Sequence, residues 1–111
     1  MRAENTPLPT EDSVRIALRD VIDPELGFNI VDLGLVYDVA TDGGIVDVRM
    51  TMTTHGCPAQ GYIVNGVEQR LAREDGVKGV FVDVVWDPPW SPRLMSPSAK
   101  AHFRIYEGND A

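Results

Sequence analysis

Between Ile45 and Thr53 apolar and polar side chains alternate, with Val46, Val48, Met50 and Met52 on one side and Asp47, Arg49, Thr51 and Thr53 on the other. That alternation predicts a half-buried strand. From Ala59 to Glu74 the period changes, and Ile63, Val67 and Leu71 draw one apolar stripe along a helix. Pro58 suits the first helical position, where its missing N–H costs nothing, and Gly56 permits the turn between strand and helix. Upstream, Val14, Ala17, Leu18, Val21 and Ile22 follow helical spacing behind Thr10, a capping residue, with Glu11 and Asp12 in the first turn. Asp23-Pro24 is predicted to end that helix, since the residue before proline avoids helical angles.

Ile30 to Val39 reads as a strand with Val31, Leu33, Leu35 and Tyr37 on one side, and Asp42-Gly43-Gly44 turns it back into the next strand as an antiparallel hairpin. Glu74-Asp75-Gly76 stops the second helix. Val77 to Trp86 then forms a third strand, with Val80, Val82, Val84 and Trp86 on one face. Strand, helix and strand in succession predict a right-handed crossover and parallel pairing. Ser96-Pro97 opens a short helix that can bury Ala99, Phe103 and Tyr106. The predicted order is α-β-β-α-β-α: one small α+β domain over 10–106, a three-stranded mixed sheet with helices packed on it. An N-terminal arm (1–9) and a frayed tail (107–111) flank it.

Composition narrows the function. A chain of 111 residues, 43% hydrophobic, supports one modest core. A net charge of −7 with scattered Lys and Arg argues against nucleic acid as a partner. No apolar run reaches the ~18 residues of a membrane span. One cysteine allows no intrachain disulfide, which suits a reducing cytoplasm. With one Cys and two His, a soft-metal site must recruit carboxylates, an external ligand or a second subunit.

That cysteine, Cys57, falls between Gly56 and Pro58 at the expected mouth of a helix, where unpaired N–H groups and the helix dipole favour a thiolate. A thiolate serves as a nucleophile or as a soft-metal ligand; the plainer reading is a small buried side chain. His55 is a candidate helper, although a lone histidine beside a turn is more often a surface residue. Asp23 and Glu25, two residues apart, suit a hard cation or simply cap local N–H groups, the second being the commoner role. Trp86 to Pro92 is a stiff aromatic loop. It either closes the core or forms a wall beside Cys57, at the strand ends where sites gather in α/β sheets.

Asp23-Pro24-Glu25-Leu26-Gly27 followed by Asn29 to Tyr37, then Thr51 to Pro58, then Asp87-Pro88-Pro89-Trp90 to Met95-Ser96 resemble three motifs of the SufT/PaaD-like (MIP-eighteen-like) metal–sulfur cluster assembly family. The likeness runs in order from about Val14 to Ala101, and three linked motifs are far more specific than one. It implies an accessory factor that matures iron–sulfur or other iron proteins, with Cys57 as the reactive or cluster-binding thiol. It further implies that Asp23, Glu25 and Thr53 converge on that thiol, as ligands or polar neighbours. The zinc-binding extension of the PaaD branch and eukaryotic targeting segments are missing, as expected of a minimal bacterial or archaeal-type member. Ser91-Pro92-Arg93-Leu94-Met95 departs from the acidic pattern of that loop.

The resemblance thus implies iron or an iron–sulfur cluster as a transient cargo, with the assembly machinery and apo clients as partners. Because one thiolate cannot satisfy a cluster that usually takes four cysteines, a homodimer is the most economical source of a second. Trp90 is expected to be partly exposed beside Cys57, as part of a client or dimer surface, and Trp86 buried. Two competing classes are a thiol transferase or hydrolase using Cys57 with His55 as base, and an adaptor that docks clients, oxygenase components included, without chemistry. No third orienting group is evident for the enzyme.

Overall fold

Alternation of Val46, Val48 and Met50, each no more than 1% exposed, makes one strand the buried middle of the protein. A computed structural model describes residues 7–56 and 58–105. Its elements are α1 (Glu11–Leu18), β1 (Ile22–Asp23), β2 (Phe28–Asn29), β3 (Val36–Asp42), β4 (Ile45–Met50), α2 (Gln60–Ala72), β5 (Gly79–Val84) and α3 (Pro97–His102), with a 3-10 turn at Pro92–Leu94. Strands β3, β4 and β5 form the expected mixed sheet in that order, antiparallel between β3 and β4 and parallel between β4 and β5. Ile63, Val67 and Leu71 of α2 and Val14 and Leu18 of α1 are fully buried. Ser96 caps α3, its Oγ accepting from the Ala99 amide at 3.2 Å. Tyr106 lies outside the described residues.

Four expectations need correction. Helix α1 ends at Leu18, not at Asp23: the Arg19 amide bonds back to Ile16, and the Val21 amide to Leu18, tightening the last turn. The freed segment Ile22–Asp23 pairs with Phe28–Asn29 as a small hairpin that helical spacing did not reveal. Strand β3 begins at Val36 rather than Ile30. Residues 30–35 are wound into turns by bonds from Gly34 N–H to Val31 and from Leu35 N–H to Ile30, so Ile30, Leu33 and Leu35 bury together without a strand.

In β3 itself, Val36 pairs with Met50 but Asp38 with Arg49, which leaves Tyr37 as the extra residue of a bulge. The bulge reverses parity, so Val36 and Val39 both face the core and Tyr37 does not. Finally, α2 starts at Gln60 with Ala59 as a cap that offers no side-chain bond, and Pro58 sits in the preceding turn. The helix mouth therefore lies farther along the chain from Cys57 than the proline suggested.

Gly34 and Gly27 share a positive φ (81° and 71°), but a Cβ on Gly34 would collide with the Leu94 carbonyl whereas one on Gly27 meets nothing within 4 Å. Gly27→Ala should cost about 1 kcal/mol for the left-handed backbone alone. Gly34→Ala should cost about 3 kcal/mol, since overpacking adds to the same strain. Thermal or urea unfolding of the two variants measures the difference. Equal losses would mean that the 92–95 turn does not press on Gly34.

Candidate functional site

Because β3 runs against β4, the residues entering β3 meet those leaving β4: the Thr51 amide donates to the Leu35 carbonyl at 2.8 Å. Because β5 runs with β4, its exit reaches the same edge, where the Val85 amide donates to Met50 at 2.8 Å. The β1–β2 hairpin is tied to residues just before β3, with the Ile30 amide bonded to Val21. Three segments carrying predicted site residues thus gather at one edge of the sheet: the Asp23 hairpin, the Thr53–His55 turn and the Trp86–Trp90 loop. Cys57 itself lies outside the described residues.

Asp23 is buried, at 2% exposure, and its Oδ1 accepts from the amides of Glu25 (2.8 Å) and Leu26 (3.2 Å). Its first role is to shape the turn that carries Glu25, whose residue is exposed. Thr53 is half-buried and His55 exposed. The His55 ring stacks on Trp86 with centroids 4.0 Å apart and planes at 21°, which ties the cysteine-bearing turn to the exit of β5. Among the described residues, no three His, Asp or Glu side chains stand close enough together to hold a metal ion.

Trp90 is half-buried, and its indole N–H donates to the Leu33 carbonyl at 2.7 Å. Partial exposure agrees with expectation, but the bond also makes Trp90 a clasp on the turns before β3. Trp86 is half-buried instead of buried, because one face of its ring receives His55 rather than the core.

Sequence reasoning overlooked Thr51 and Tyr37. Alternation places Thr51 on the polar face, yet it is fully buried and its hydroxyl forms no hydrogen bond of ordinary geometry. It lies within reach of a weak hydrogen bond to the Tyr37 hydroxyl, which itself donates to the Pro88 carbonyl at 2.8 Å. Burial raises the pKa of Tyr37; the Thr51 hydroxyl opposes this and the Asp87 carboxylate adds to it. The only sequence signal was a threonine flanked by two buried methionines.

A family described as "Iron-sulfur cluster assembly protein" matches residues 11–84. The "Fe-S protein maturation auxiliary factor YitW" of Bacillus subtilis is 46% identical over 96 residues, covering 86% of this chain and 94% of its own length. The "Fe-S protein maturation auxiliary factor SufT" of Staphylococcus aureus is 47% identical over 81 residues, 72% of this chain and 92% of its own. A solved domain of unknown function from Bacillus anthracis superposes with a TM-score of 0.81 at 45% identity, covering 86% of this chain and 92% of that one.

The Tyr37 shift fixes a sign. A phenol whose folded pKa is raised holds its proton more tightly folded than unfolded, so its contribution is complete below the free value of about 10 and declines as pH rises beyond it. Unfolding midpoints should therefore fall above pH ~10. Tyr37→Phe should flatten that fall, while losing the bond to Pro88. An unchanged alkaline limb in Tyr37→Phe would show that the hydroxyl ionises without penalty.

Proposed function

The chain belongs to the iron–sulfur cluster assembly protein family, and from that premise we propose that Cys57 is the thiol through which it serves as an accessory factor in maturing iron–sulfur proteins. The observation that carries this reading is the convergence of the Asp23 hairpin, the His55 turn and the Trp86–Trp90 loop at the edge from which the Cys57 segment departs. YitW and SufT, both named maturation factors, match over most of their own lengths. Iron or a cluster is the cargo. The protein works in a reducing, cytoplasmic setting; among the described residues no helix is long and apolar enough to cross a membrane.

One thiolate leaves most of a cluster's coordination unmet, since such clusters usually take four cysteine ligands. The remaining donors come from a second copy, from small thiols, or from the client that receives the cargo. A homodimer contributing one Cys57 per copy is the simplest arrangement, with Asp23 and Glu25 as oxygen donors and Thr53, His55 and Trp90 around them. Two carboxylates beside a thiolate disfavour its charge unless a cation lies among them, which suits transient iron. Partners are then the assembly machinery and apo clients.

Anaerobic reconstitution with ferrous iron and sulfide, followed by visible absorption and native mass spectrometry, tests this. A chromophore lost in Cys57→Ser, with client maturation lost in parallel, is the expected result. Maturation that survives Cys57→Ser would instead identify an adaptor without chemistry.

Asp23 allows a finer separation. Asp23→Asn keeps an oxygen acceptor for the Glu25 and Leu26 amides but removes the charge, so iron retention should drop while stability changes by less than about 1 kcal/mol. Asp23→Ala should cost about 2 kcal/mol in addition, because two amides lose their acceptor. Full iron retention in Asp23→Asn would confine Asp23 to shaping the turn.

A further inference from the structure

A groove of about 320 Å³ runs along α2 on the side away from its Ile63–Val67–Leu71 stripe. Tyr62, Gly66, Gln69 and Arg73 supply one wall at helical spacing, and Asp20 to Ile22 supply the other. Gly66 keeps the floor low: a Cβ there would stand 3.3 Å from Val21 Cγ1. The two ends differ in chemistry. At one end Tyr62 and Ile22 are 66% and 44% exposed, an apolar pair without a cover among the described residues. At the other end Arg70 is already held by Asp20 at 2.9 Å and Glu74 at 2.8 Å, whereas Arg73 has no ion pair among the described residues. In a chain with 17 acidic and 10 basic residues, an unmatched guanidinium in a groove is a local exception.

We propose that this groove takes an extended segment of a client protein, one that places a large apolar side chain between Tyr62 and Ile22 and a carboxylate on Arg73. The spacing follows from the helix. Eleven residues at about 1.5 Å each separate Tyr62 from Arg73 by roughly 16 Å, which an extended chain covers in about five residues. A single free guanidinium at one end of so long a groove suits one acidic side chain in a peptide better than a compact polyanion. The acidic surface elsewhere repels such a peptide, so charge orients it in the groove.

Position gives the groove its purpose. Ile22 directly precedes Asp23, and Tyr62 lies in the first turn of α2, a few residues beyond Pro58. The apolar end of the groove thus lies within a few residues, along the chain, of both Asp23 and Pro58. This inference rests on the maturation reading and adds to it the chemistry by which a client is selected.

The test is a titration of the isotope-labelled full chain with a synthetic peptide carrying phenylalanine and, five residues later, glutamate, joined by Gly-Ser, and with its Glu→Gln counterpart. Amide shifts should concentrate at Ile22 and along Tyr62 to Arg73. The glutamate peptide should bind about threefold to fivefold more tightly, the range of an exposed ion pair. Arg73→Ala should erase that difference, and Tyr62→Ala should weaken both peptides alike. Cys57→Ser should bind as the parent does, so a failure of the thiol hypothesis leaves this result readable. No saturable shift at millimolar peptide, shifts elsewhere, or an unchanged preference in Arg73→Ala would overturn the proposal. So would concentration-dependent shifts of the same amides without peptide, which would assign the groove to a second copy.

Discussion

Strand β4 is paired along both edges, antiparallel with β3 and parallel with β5, and everything at the candidate site depends on that double pairing. The antiparallel side brings the entry to β3 to the end of β4. The parallel side requires a crossover, which α2 supplies, and delivers the exit of β5 to the same edge. With Val46, Val48 and Met50 buried beneath α1 and α2, a slip of one residue would turn the whole apolar set outward. The register is therefore strongly constrained, and with it the place from which the Cys57 segment leaves the sheet.

Loops at that edge lack ladder partners, so side chains satisfy their backbone groups instead. Asp23 accepts from two amides of its own turn. The Asn29 side chain accepts from the Asp32 amide at 2.8 Å and donates to the Asp32 carboxylate, also at 2.8 Å. Trp90 closes on Leu33 and Tyr37 on Pro88 across 57 and 51 residues of sequence. Each bond contributes on the order of 1 kcal/mol. The Asp23 and Asn29 bonds shape their own turns, and the Trp90 and Tyr37 bonds hold the loop after β5 to the segment that enters β3. The buried Thr51 hydroxyl, with no bond of ordinary geometry, is the one exception among the described side chains.

The chemistry is economical in donors. On the proposed reading, a single thiol, two carboxylates in one hairpin and an imidazole stacked on indole would suit holding and passing on a metal better than sealing it in. An accessory factor must release what it takes, and an incomplete ligand set makes the client's own cysteines the better site. The proposed α2 groove would let charge and shape select partners before any transfer.

Periodicity alone sufficed for α2, β4, the Asp42-Gly43-Gly44 turn and the parallel β5, because a stripe at helical spacing or an alternation of two can be buried in only one way. Linked motifs sufficed for the family and pointed to Asp23, Glu25, Thr53 and Cys57, while His55 and Trp90 were candidates from their places beside the turn and in the aromatic loop. Where local pattern and tertiary context disagreed, context prevailed. Val21 and Ile22 kept helical spacing, yet Ile22–Asp23 found strand partners in Phe28–Asn29, since hydrogen bonds to a distant segment compete with one more helical turn. Leu33 and Leu35 both bury from a turn, and the Tyr37 bulge inverts the face that alternation assigned. The Thr51 environment, the His55–Trp86 stack and the Trp90 clasp join residues 14 to 57 positions apart, and no local rule reaches that far. The sequence by itself determined the family, the main helices and the three-stranded sheet, and which residues are candidates for the chemistry. Only the tertiary structure decided how those residues are held, because the bonds that hold them run between segments whose meeting depends on the whole sheet.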